Sequence, residues 1–140
     1  MSQASTKGVD TDATDEGRDD AATALADRYI AMWNETDAGR RRDLIARVWA
    51  AAARYRDPML SGDGHDGIDA MVQGVHAHYP GHRFSRTSAV ESHNGRLRFG
   101  WALGAQGAAP LVTGVDFGVL SGDGRLQEIA GFFDTMPGAA

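Results

Sequence analysis

Two aspartates stand where a carboxylate can do acid–base work. Asp116 lies inside the apolar run Val112-Thr-Gly-Val-Asp-Phe-Gly-Val-Leu120. A carboxylate in the middle of an apolar strand is costly unless it is protonated or hydrogen-bonded. Apolar neighbours raise a carboxyl pKa, so Asp116 is expected to be neutral at pH 7. Alternation puts Gly114 and Gly118 on its face, which leaves room beside it, and Val115, Phe117 and Val119 on the opposite face. Asp57 ends the alternating segment Arg54-Tyr-Arg-Asp57 just before Pro58, with Tyr55 on its face. Each also has a plain structural reading. Asp57 suits a turn at a strand end, and Asp116 suits a buried acid satisfied by its neighbours.

Other chemistries find less support. Gly62-Asp-Gly-His-Asp-Gly67 matches the glycine spacing of a dinucleotide loop. No second strand–helix–strand unit follows, however, and Asp63 and Asp66 would repel a pyrophosphate. The segment reads instead as a flexible loop with Asp66 capping a helix. His76 and His78 are two apart on a helix and face different ways. No histidine spacing suits a metal, and none is expected. There is no G-x-S-x-G elbow, and cysteine is absent, which removes thiolate chemistry and disulfides.

The elements that must position these residues follow from periodicity. Leu25, Tyr29, Met32 and Trp33 form one stripe of a helix over Ala21 to Glu35. An aromatic at Tyr29 has a packing role on that stripe alone. Asp37 suits an N-cap for a second helix over about Arg40 to Ala50, with Leu44, Ile45, Val48 and Trp49 buried. A third helix spans about Ile68 to His78 and stops at Pro80-Gly81. The period then changes to two, predicting strands near 83–91, 97–105, 111–120 and 126–134. Asn94-Gly95 and Ser121-Gly-Asp-Gly124 make turns between them. Helix, helix, short strand, helix and four antiparallel strands make an α+β fold with helices on one side of a curved sheet.

Charge is unevenly placed. Residues 1–20 carry Lys7 and Arg18 against six acids, a net of −4 out of the total of −5. Almost no large apolar residue occurs there, so this segment reads as a disordered acidic tail before one domain over 21–140. The nearly neutral body has no basic footprint for nucleic acid. No apolar run reaches the ~18 residues that span a bilayer. No secretory leader is evident, so a cytoplasmic location is expected. One lysine beside 13 arginines suggests a GC-rich bacterial source.

The segments Arg28-Tyr-Ile-Ala-Met-Trp-Asn34, Tyr55-Arg-Asp-Pro58 and Gly114-Val-Asp-Phe117 resemble the ketosteroid-isomerase and SnoaL-like polyketide-cyclase branch of the nuclear-transport-factor-2-like superfamily. The resemblance covers about Ala21 to Met136. It implies a cone-shaped, curved antiparallel sheet wrapped around N-terminal helices, a cystatin-like α+β barrel. It also implies catalytic roles: Asp57 as general base, with Asp116 and Tyr29 holding the substrate oxygen. Trp33, Tyr55, Phe99, Trp101, Ile129 and Phe133 would line the cone. The implied activity is cofactor-independent proton transfer on a small, apolar, carbonyl-bearing molecule, as in an isomerase or polyketide cyclase. The alternative is a non-catalytic binding or dimerisation module of the same fold. The enzyme reading is the favoured one. A homodimer through the outer sheet face is expected, because Val115, Phe117 and Val119 would otherwise face water.

Overall fold

The computed structural model describes residues 8–136. Its helices are α1 (Gly8–Asn34), α2 (Ala38–Val48) and α3 (Gly64–His78). Its strands are β1 (Trp49–Arg56), β2 (Ser61–Asp63), β3 (His82–Arg86), β4 (Glu91–His93), β5 (Arg96–Ala105), β6 (Val112–Leu120) and β7 (Leu126–Thr135). They form a single curved sheet in the order β2-β1-β7-β6-β5-β3, with β4 also paired to β5. The helices pack against its ends and concave side: α1 meets β3 and β4, and α3 meets β1 and β2. The α+β cone expected from the sequence is the fold observed.

Several boundaries differ for physical reasons. The stretch read as one strand over 83–91 is two strands, β3 and β4, separated by Thr87–Val90. β1 is longer than expected and starts at Trp49, which leaves α2 yet stays fully buried. β1 also joins β7 in parallel, so the sheet is not wholly antiparallel. The glycine-rich segment is not a loop. Gly62 lies in β2, pairing with Tyr55. Asp63 takes the N-cap position of α3 without a side-chain bond, and Asp66 sits in its first turn.

Asp37 caps α2 as expected, its carboxylate accepting from Arg40 N. Asn94 and Gly95 both have positive φ (48° and 74°), the backbone that a two-residue hairpin requires and that Asn-Gly adopts most readily. The carboxamide of Asn34 closes the end of α1. It donates to the Phe84 carbonyl at 2.9 Å and accepts from Phe84 N at 2.8 Å, which fastens the helix to edge strand β3.

Helix α1 reaches back to Gly8, into the segment expected to be a tail, while residues 1–7 and the side chains of 8–16 and Arg18 lie outside those described. Acidic residues near a helix N-terminus favour such an extension through the helix dipole. Among the described residues, burial begins only at Ala22. Deleting residues 1–20 is therefore expected to move the melting temperature by no more than about 4 °C, the shift that ~1 kcal/mol produces in a domain of this size. A larger drop in a thermal melt would mean that the segment docks on the body.

Candidate functional site

The site is built on the tyrosine of α1. Tyr29 is buried, and edge-on packing against Trp33, Trp49 and Phe99, with centroids 6.4, 5.8 and 5.8 Å away, fixes its ring. Its hydroxyl donates to Oδ2 of Asp116 at 2.7 Å. Asp116 points into the cone and is 4% exposed, whereas the next residue, Phe117, is 40% exposed on the outer face. Alternation allows either face for Asp116, and this burial places it inward and Phe117 outward.

The second oxygen of Asp116 has a partner that the sequence does not reveal. The indole Nε1 of Trp101 donates to Oδ1 at 3.0 Å. Trp101 pairs with Gly114 across β5 and β6, and a Cβ at Gly114 would overlap the indole at 2.7 Å. Gly114 thus makes room for the ring that reaches the acid. The expectation of space beside Asp116 is met, with Trp101 filling it.

Asp57 closes β1 in a tight turn. Its Oδ1 accepts from the backbone of Met59 and Leu60, both at 2.7 Å, and its Oδ2 accepts from the Tyr55 hydroxyl at 2.6 Å. The turn-aspartate geometry and an inward position thus occur together. One lone-pair direction on Oδ2 is left for a ligand.

The two tyrosine–aspartate pairs meet at Gly131 of β7. A Cβ there would lie 2.9 Å from Asp116 Oδ1, 3.2 Å from Asp57 Cβ and 3.3 Å from the Tyr55 hydroxyl. A side chain at position 131 would crowd both acids, and glycine leaves them room. Pairing of Gly131 with Asp116 across β6 and β7 is the signal that marks it, and that register is not readable from the sequence.

Asp57, Asp116, Tyr29 and Tyr55 share one cavity of about 290 Å³. Trp33, Trp101 and Phe133 line it as expected. Phe99 and Ile129 do not. Both point inward but lie beneath the cavity in the main core, Phe99 against Tyr29. Their strands supply the walls further along, through Trp101 and Phe133. Sequence reasoning missed Phe84, Tyr79, His78 and Met59 in the lining. Phe84 bridges Trp33 and Trp101, with centroids 5.1 and 5.7 Å away. Among the described residues, no arginine or lysine lines it.

Burial shapes the protonation of the site. It pushes Asp116 up to about 7, with the nearby Asp57 charge adding to the rise, against the hydrogen bonds from Tyr29 and Trp101, which favour the carboxylate. Desolvation first, and then the Asp116 charge, hold Tyr29 well above the usual phenol value, so it is a neutral donor. Desolvation, Asp116 and Asp57 do the same for Tyr55.

The expected result of a carbon-13 titration is therefore an Asp116 carboxyl midpoint near 7. A midpoint near the ordinary ~3.9 would remove it from the donor role. Because the folded pKa is raised, the folded protein holds a proton that the unfolded chain has lost. This contribution to stability is full below about pH 4 and disappears as pH rises through about 7.

No family model matches the sequence, and no curated protein matches it. Solved structures do. A SnoaL-like family protein from Agrobacterium tumefaciens, provisionally named an isomerase, is 35% identical with a TM-score of 0.79, over 82% of this chain and 98% of that one. A nuclear-transport-factor-2-like protein of unknown function from Exiguobacterium shares the fold at 19% identity and TM-score 0.64, over 80% and 99% of the two chains. A SnoaL-like protein from Jannaschia, provisionally named a polyketide cyclase, does so at 16% and 0.60, over 81% and 87%. With 35% identity over 98% of the Agrobacterium protein, the chain belongs to the SnoaL-like family, and it has the fold of nuclear-transport-factor-2-like proteins.

Proposed function

We propose that the protein is a cofactor-independent acid/base catalyst that moves a proton next to the carbonyl of a small apolar molecule. The observation that carries this reading is the meeting of Asp57 with the Tyr29–Asp116 pair at one apolar cavity, over Gly131. Oδ2 of Asp57 takes a proton from the carbon beside the carbonyl. The electron pair moves onto the carbonyl oxygen, and the Tyr29–Asp116 pair stabilises the enolate there. Returning the proton to another carbon isomerises the substrate. Attack of the enolate carbon on a second carbonyl closes a ring, and the alkoxide that forms takes the proton held by Asp57. The names of the Agrobacterium and Jannaschia proteins agree with such chemistry.

The experiment is proton exchange in D2O on 2-tetralone, a flat ketone with acidic neighbouring C–H bonds, followed by proton NMR. The protein is expected to speed loss of those signals with no added cofactor. Exchange at the buffer rate sinks the reading.

The working unit proposed is a homodimer joined through the outer sheet face. Phe117 and Phe132 are 40% and 60% exposed there, and Val115 pairs directly with Phe132. Contiguous exposed apolar surface of this kind usually marks an interface, and a two-fold pair is the commonest way to cover it. Phe117→Asp is expected to yield a folded monomer by light scattering. A wild-type protein that is already monomeric refutes the dimer.

A further inference from the structure

The proposed chemistry needs a proton aimed at the substrate oxygen, yet the Tyr29 hydroxyl points at Asp116. The solution lies in the third member of the cluster. An indole N–H donates only, so Asp116 Oδ1, 3.0 Å from Trp101 Nε1, is an acceptor in every protonation state. A proton on Asp116 therefore belongs on Oδ2, which faces the Tyr29 hydroxyl at 2.7 Å. With the acid protonated, Oδ2–H donates to Tyr29, and the phenol hydrogen turns into the cavity. With the acid ionised, the phenol hydrogen is drawn to Oδ2 and the cavity loses its donor.

Resting on the proton-transfer reading above, we propose that Trp101 is a positioning residue. It fixes the Asp116 proton on Oδ2, and so makes Tyr29 a donor that accepts only a ligand bearing a neutral hydrogen-bond acceptor such as a ketone oxygen. Among the described residues, an anionic ligand finds no arginine or lysine in the cavity lining to hold it, and it meets Asp57 there. The groups facing Asp116 are few. Helix α1 gives Tyr29, β1 and its turn give Tyr55 and Asp57, β5 gives the uncharged Trp101, and β7 gives Gly131. His78 of α3 lines the same cavity.

The test uses 2-acetylnaphthalene, a flat neutral ketone, with binding read by quenching of tryptophan fluorescence between pH 5 and 9. Selectively labelled Asp116 is titrated by carbon-13 NMR in parallel. In the wild type, Kd is expected to rise about tenfold per pH unit above the Asp116 midpoint. Trp101→Phe removes a bond that favours the carboxylate. The binding and carboxyl midpoints should then rise together by about one pH unit, while Kd on the low-pH plateau worsens by about twofold or more because Oδ1 can now carry the proton in place of Oδ2, with Trp33 still reporting. Asp116→Asn should abolish the pH dependence. Its amide oxygen must face the Trp101 donor and its NH2 must face Tyr29, which imitates the protonated acid permanently.

An Asp116 midpoint unmoved in Trp101→Phe, with binding weakened equally at every pH, would reduce Trp101 to packing and overturn the proposal. A pH-dependent Kd in Asp116→Asn would overturn it as well. Absence of ketone binding in all forms, with the carboxyl shift present, would instead refute the carbonyl reading of the pocket and leave the role of Trp101 standing.

Discussion

Replacing Asp57 with asparagine is expected to lower protein-catalysed proton exchange on 2-tetralone by about a hundredfold or more, the usual scale for loss of a general base, while the fold stays intact. The hydrogen bonds of the turn explain why the two effects separate. An asparagine oxygen can still accept from Met59 N and Leu60 N, now both at 2.7 Å from Oδ1. Its NH2 then faces the Tyr55 hydroxyl, which switches from donating to accepting. The turn amides and the Tyr55 oxygen keep partners, only the Tyr55 hydroxyl hydrogen loses its acceptor, and shape and volume are conserved, so the melting temperature should fall by no more than a few degrees. What disappears is the basic oxygen. Asp57→Ala is the poorer experiment, since it also strips three donors of their acceptor and would confuse stability with catalysis. An exchange rate in Asp57→Asn within a factor of two of wild type would return Asp57 to its other reading, a turn aspartate.

How much of this was legible depended on whether a feature is set within one element or between elements. That Asp116 and Phe117 face opposite ways follows from alternation along a single strand, and it is observed, with Asp116 inward. The Asp37 cap and the Asn94-Gly95 turn are equally local. The partners of Asp116 are not local. Trp101 reaches it from β5 and Tyr29 from α1, and sequence spacing says nothing of where β5, β6 and β7 come into register. The misplacement of Phe99 and Ile129 has the same origin. Alternation assigns them correctly to the inner face, but depth along the cone decides between core and cavity. The repeated string Leu-Ser-Gly-Asp-Gly makes the point most directly. At 120–124 it leaves β6 for a turn, while at 60–64 it forms β2 and starts α3, because β1 lies alongside to pair with it.

Arg41→Ala is expected to destabilise the fold by about 3–5 kcal/mol, the cost of orphaning one partner of a buried ion pair. Total stabilities of such domains are only ~5–15 kcal/mol, so this is the largest single-site effect on folding anticipated here. Arg41 is 2% exposed, within a run of three arginines that looks like a solvated face. Yet it shares the stripe of Ile45 and Val48 at helical spacing, and so turns inward with them. Its Nε donates to Asp69 Oδ1 at 2.6 Å, tying α2 to α3, and its guanidinium also donates to the Glu35 carbonyl at 3.0 Å. Removing it leaves the Asp69 carboxylate, whose side chain is 12% exposed, without its main partner. Arg42 is 4.0 Å from the other oxygen and largely in solvent, too weakly placed to substitute. A buried pair is costly to break but adds little over apolar packing of the same volume. Urea unfolding of Arg41→Met/Asp69→Leu should therefore recover most of the loss seen in Arg41→Ala. If the double variant is as unstable as the single one, the pair stabilises the α2–α3 contact in its own right.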